Sequence, residues 1–88
     1  MAADGPRAEA PELRDLVDFL ARGLVDHPEA VEVEEIDEPD ALVFELKVAE
    51  EDLGKVIGRQ GRTAKALRTI LSAASVKSRR RVILEILE

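Results

Sequence analysis

The chain has 88 residues, 45% of them hydrophobic and 36% charged, which suits one small globular domain and excludes a disordered or fibrous chain. It has no cysteine, a single histidine and no apolar run longer than the four residues 41–44. These absences exclude disulfides, thiolate or multi-histidine metal centres, a Ser-His-Asp triad, and a membrane-spanning or signal-peptide segment, so a cytoplasmic chain without a metal or cofactor is expected. The net charge of −6 conceals a split: residues 1–52 carry 17 acidic and 4 basic side chains, residues 53–88 carry 9 basic and 2 acidic, and none between Leu53 and Leu84 is acidic. Such asymmetry fits a nucleic-acid face, and equally a fold whose two halves pair internally.

Residues 1–10 are small and polar without period and are expected to form a flexible tail. Pro11 suits the first turn of a helix. Leu13, Leu16, Val17, Leu20 and Leu24 recur at helical spacing on one face, until Pro28 forces His27 out of helical geometry and makes it a helix-end residue. Phe19 sits in this apolar pattern and is expected in the core. Val31 to Ile36 alternates as a half-buried strand, with Glu35-Ile36 marking an expected bulge. Glu38-Pro39-Asp40 is a turn, and Leu42, Phe44, Leu46 and Val48 alternate as a second, cleaner strand that completes a hairpin.

Glu50, Glu51 and Asp52 place negative charge at the start of a short helix over 52–57. Gly58-Arg59-Gln60-Gly61 interrupts it. A longer helix follows over 62–76, with Leu67, Ile70, Leu71 and Ala74 inward and Arg62, Lys65, Arg68 and Ser72 outward. Lys77 to Arg81 is a basic connection whose arginines either extend a nucleic-acid path or counter the acidic half. Val82 to Leu87 is a last strand, apolar on both sides and therefore expected to be covered on both faces or central in the sheet. The order αββααβ predicts a two-layer α+β domain, a three-stranded sheet covered by three helices.

The segment with chemical content is Gly54-Lys55-Val56-Ile57-Gly58-Arg59-Gln60-Gly61-Arg62. Two glycines three apart allow a tight turn and close approach of backbone to a ligand. The turn opens into a helix whose first amides and dipole favour an anion, and Arg59 and Arg62 add positive charge. A phosphate is the expected ligand. A bare GxxG is also a common inter-helix turn. Here it follows the aliphatic pair Val56-Ile57 and precedes a helix with a basic outer face, within an αββααβ order.

These features together resemble the KH-domain motif in its type II arrangement. The span from Leu13 to Glu88 is similar to the small bacterial KhpA family, and the run from Asp52 to Arg68 is close to that pattern throughout. Ala64 departs from the larger aliphatic residue common in KH domains. The resemblance implies one KH domain over 11–88 that binds single-stranded RNA, as an RNA chaperone or post-transcriptional regulator, with a homodimer or a KhpB-type protein as partner. A GXXG loop that clamps four backbone nucleotides is the general KH property. Carried onto this sequence, it gives Gly58 and Gly61 close approach, sets Arg59 and Gln60 beside the phosphates, and turns Gly54 and Ile57 toward the bases. Lys55, Arg62 and Lys65 supply longer-range attraction.

Aromatic residues are 2% of the chain, Phe19 and Phe44 only, so base stacking on aromatic rings is not available as a source of affinity. Weak, sequence-tolerant binding by one domain is expected, strengthened by two domains on one RNA. No Walker pattern or GxGxxG is present, and the acidic residues fall on a strand and turn without a nucleophile–base pair, so neither NTPase nor other catalytic chemistry is expected. The competing reading is a KH-fold protein-interaction module that docks through its acidic half, with RNA contact secondary.

Overall fold

A computed structural model describes the backbone of residues 5–76 and 80–88 and the side chains of residues 13–76 and 80–88. The order is α1 (Gly5–Leu24), β1 (Glu32–Glu38), β2 (Ala41–Lys47), α2 (Leu53–Ile57), α3 (Arg62–Ala74) and β3 (Arg81–Ile86), with single 3-10 turns at Pro28–Ala30, Glu50–Asp52 and Arg59–Gly61. This αββααβ order and its mixed three-stranded sheet match the expected type II KH fold.

The first helix begins at Gly5, ahead of Pro11. Ala8, Glu9 and Ala10 have high helix propensity but no apolar recurrence, so periodicity did not reach them. Residues 1–4 of the expected tail lie outside the described residues. The buried stripe of α1 is Leu13, Val17 and Ala21. Leu24, expected on that face, is exposed because it is the last residue of the helix, and Phe19 is 74% exposed because it lies well off the stripe.

The sheet order is β1-β2-β3, with β1 antiparallel to β2 and β2 parallel to β3. The β1–β2 register runs unbroken from Glu32↔Lys47 to Glu38↔Ala41, so the expected bulge at Glu35-Ile36 is absent. Glu35 instead pairs with Phe44 on the helix-covered face, and Ile36 pairs with Val43 on the other. β2 is the central strand and β3 is an edge, so of the two expectations for β3, covered on both faces or central, the central one does not hold. The α2–α3 crossover returns the chain parallel to β2 on the side β1 leaves open. The second apolar side of β3 has a use there: Ile83 continues the Ile36–Val43 row on the face opposite the helices, where Val43 is buried.

The core lies between sheet and helices. Leu42, Phe44 and Leu46 of β2 meet Leu13, Val17 and Ala21 of α1, Val56 of α2, Leu67 and Leu71 of α3, and Leu84 of β3. Phe44, Leu46 and Val56 are fully buried. Ala64 is buried too, but Ile70 and Ala74, both expected inward, are exposed. α3 packs against both α1 and β3, and its inward stripe narrows to Ala64, Leu67 and Leu71.

Candidate functional site

The short helix α2 ends because Gly58 leaves helical space, with φ 78° and ψ 169°. Its amide still donates to the Gly54 carbonyl at 2.8 Å, closing the last turn. The chain then makes one 3-10 turn, and Gly61, at φ 73° and ψ 14°, redirects it into α3. Gln60 between them also has positive φ, 57°, an uncommon conformation for a residue with a side chain. Three left-handed residues within four positions fix the loop's shape. At Gly58 a second constraint operates, since an added Cβ would lie 2.2 Å from Thr63 Oγ1 and 2.7 Å from the Thr63 backbone nitrogen. Thr63 is the second residue of α3, so this glycine lets the start of α3 pack against the end of α2.

None of the nine candidate residues is buried: Gly54, Lys55, Arg59, Gln60, Arg62 and Lys65 are exposed, and Ile57, Gly58 and Gly61 are half-buried. Ile57 packs its inner side on the core and leaves the rest at the surface. A Cβ at Gly54 or Gly61 would meet open space. The bend therefore presents Arg59 and Gln60 outward, with Arg62 and Lys65 continuing along α3.

Two expectations change in detail. The loop was expected to offer a run of bare amides, but the Gly58 amide bonds Gly54, the Gly61 amide donates to Gly58 at 3.0 Å, and the Arg62 amide donates to Arg59. Three amides of the bend are engaged within the chain in this way, which shifts weight in attracting an anion toward the Arg59, Gln60 and Arg62 side chains. Lys55 was expected to add free positive charge. Its ammonium instead lies 3.4 Å from Asp26 Oδ2 and 3.9 Å from Asp52 Oδ1. Among the described residues no carboxylate pairs with Arg59, Arg62 or Lys65.

Sequence reasoning did not foresee the roles of two other arginines. Arg68 donates from Nε to the Leu84 carbonyl at 3.2 Å and ties α3 to β3. Arg80 pairs with Asp37 and donates to the carbonyls of Glu38 at 2.8 Å and Ala41 at 3.1 Å, so it fastens the start of β3 to the β1–β2 turn. Arg80 thus takes the internal-pairing role that the acidic half allowed for. Arg79 lies outside the described residues.

The family described as KhpA/KhpB, KH domain matches residues 14–86. A protein named RNA-binding protein KhpA from Caldanaerobacter subterraneus subsp. tengcongensis is 55% identical over 73 residues, covering 83% of this chain and 97% of its own. Proteins of the same name from Aquifex aeolicus and Chlamydia caviae are 53% and 40% identical over 76 residues, covering 86% of this chain and 96% and 97% of theirs. No solved structure matches the chain.

Proposed function

The chain belongs to the KhpA/KhpB KH-domain family, and from that membership we propose that it binds single-stranded RNA through the loop at 58–61. The observation that carries the reading is the bend itself. Gly58, Gln60 and Gly61 hold left-handed geometry, and an exposed Arg59-Gln60 tip leads into the basic outer face of α3. A nucleotide backbone would pass the tip, with phosphates on Arg59, Gln60 and Arg62, and bases over the open surface at Gly54 and Ile57. Lys65 lies one helical turn further and adds attraction at longer range.

The chain then acts without catalysis, as an RNA chaperone or post-transcriptional regulator in the cytoplasm. Among the described residues no helix is long and apolar enough to cross a membrane. Affinity from one such loop is modest, and a homodimer or a KhpB-type partner would place two domains on one RNA. The exposed Phe19, Leu24 and Ile70 beside the groove between α1 and α3 support such pairing.

The test replaces Arg59 and Gln60 together with Asp. Both are exposed turn positions, so the fold should survive, while repulsion at the tip should lower affinity for an unstructured RNA oligonucleotide by about ten-fold or more. Anisotropy titration reads the affinity, and unchanged binding refutes the proposal. One observation favours the second reading, a module that docks through its acidic half: Glu34, Glu45 and Glu85 stand in one row across the helix-free face of the sheet. Lost RNA binding with undisturbed cellular function would favour that reading.

A further inference from the structure

Lys55 stands three residues before Gly58, on the helix that leads into the loop, and its ammonium is held by the protein itself. Asp52 is fully buried. Its side chain does not cap its own helix but reaches across the chain, where Oδ2 accepts the His27 backbone N–H at 2.9 Å. Its other oxygen, Oδ1, is buried without a hydrogen-bond partner and has the Lys55 ammonium 3.9 Å away. Asp26, adjacent to His27, supplies the second carboxylate at 3.4 Å. The remaining acidic groups of this junction face elsewhere, Glu29 and Glu51 lying 3.6 and 3.4 Å from the His27 ring.

We propose that Asp26 and Asp52 form an internal clamp that competes with RNA phosphates for Lys55, so that RNA binding at the loop is an exchange of ion-pair partners. This rests on the loop reading above. The two carboxylates play different parts. Asp52, desolvated and short of a donor, keeps the ammonium close to α2, because its full departure would leave a buried charge uncompensated. Asp26 is 72% exposed on its side chain and Lys55 44%, so their pair is weak and screened, and a phosphate can displace the Asp26 carboxylate. Lys55 then bridges Asp52 and the nucleotide backbone, and it serves RNA with less than its full charge. The acidic first half thereby sets the affinity of the basic second half through one named contact.

The experiment compares parent, Asp26→Asn, Lys55→Met and the double variant for binding of an unstructured RNA oligonucleotide at low and high salt. Asp26→Asn removes only an exposed partner and should fold as the parent does. Lys55→Met leaves the buried Asp52 without its cation, so circular dichroism first checks its fold, and Lys55→Met with Asp52→Asn is titrated beside it as the charge-balanced background. Asp26→Asn should tighten binding about two- to five-fold at low salt, the range set by an exposed ion pair, and the gain should fade as salt rises. In the Lys55→Met background the same substitution should give no gain, which separates the clamp from a general loss of negative charge. Unchanged affinity for Asp26→Asn, or a gain that persists without Lys55, overturns the clamp. Titrating the Arg59/Gln60 double Asp variant alongside separates the two readings: if it binds as the parent does, the loop reading itself falls. If it loses binding while Asp26→Asn changes nothing, only the clamp falls.

Discussion

Gly54 and Gly58 sit four residues apart and do opposite things. Gly58 is required by the protein, since its positive φ and the proximity of Thr63 leave no room for a side chain. Gly54 is inside α2, where glycine is a poor choice, and a methyl group added there meets nothing of the protein within 4 Å. Nothing in the protein itself requires glycine at that position, which fits the proposed approach of a base. Gly54→Ala should therefore stabilise the fold by about 0.5–1 kcal/mol in chemical denaturation. It should also weaken RNA binding about four-fold, the equivalent of about 0.8 kcal/mol for one displaced methyl-sized contact. A variant that gains stability and keeps full RNA affinity would remove Gly54 from the contact surface. The same logic separates the loop's polar residues from Arg68 and Arg80, which are basic by composition but serve as internal ties.

Within the sheet, the register has a consequence for stability. Glu34 pairs with Glu45, and Glu45 with Glu85, so three like charges stand side by side across β1, β2 and β3. Like charges directly opposite destabilise a sheet. Replacing the central member by Lys turns two repulsions into two attractions, and Glu45→Lys should raise stability by about 0.5–1 kcal/mol, a rise of several degrees in Tm by calorimetry. An unchanged or lower Tm would mean that the three side chains diverge into solvent and do not interact. The same variant should impair docking if the acidic face engages a basic partner, and leave RNA binding at the loop intact. The neighbouring row of Ile36, Val43 and Ile83 offsets the repulsion by burying apolar surface on the same face.

For the molecule as a whole, separating acidic and basic halves gives a domain that is acidic overall and carries a basic surface along the loop and the outer face of α3. Three or four neutralised phosphates would give a slope of log K against log salt of about −2 to −3. One domain alone should therefore bind weakly at physiological salt, and a second domain on the same strand should add about 10²-fold through effective concentration. Phe19 and Ile70 are exposed apolar side chains outside the core, so Phe19→Ser with Ile70→Ser should leave the fold unchanged. If that patch holds two copies together, the variant should sediment as a monomer and lose affinity for a long RNA while keeping it for a short one. Equal losses on both lengths, or no change in mass, would assign the patch another role.

Local chemistry was legible in the chain by itself. The hairpin at 38–40, the two glycines that must turn, the break between α2 and α3, and the αββααβ order all depend on conformational preferences of neighbouring residues and on periods of two or 3.6. Those properties are local, and they sufficed for the fold class and for the position of the loop. Periodicity says that a face is apolar without saying what covers it, so Phe19, Leu24 and Ile70 were read inward and lie at the surface. For the same reason the two apolar sides of β3 left open whether it was covered on both faces or central, and it is an edge. Pairing between the two halves was open in the sequence, but its partners were not legible: Lys55 with Asp26, Asp52 with His27 and Arg80 with the β1–β2 turn join residues 25 or more apart. A charge in sequence reveals its sign, and only the folded chain decides which opposite charge reaches it first.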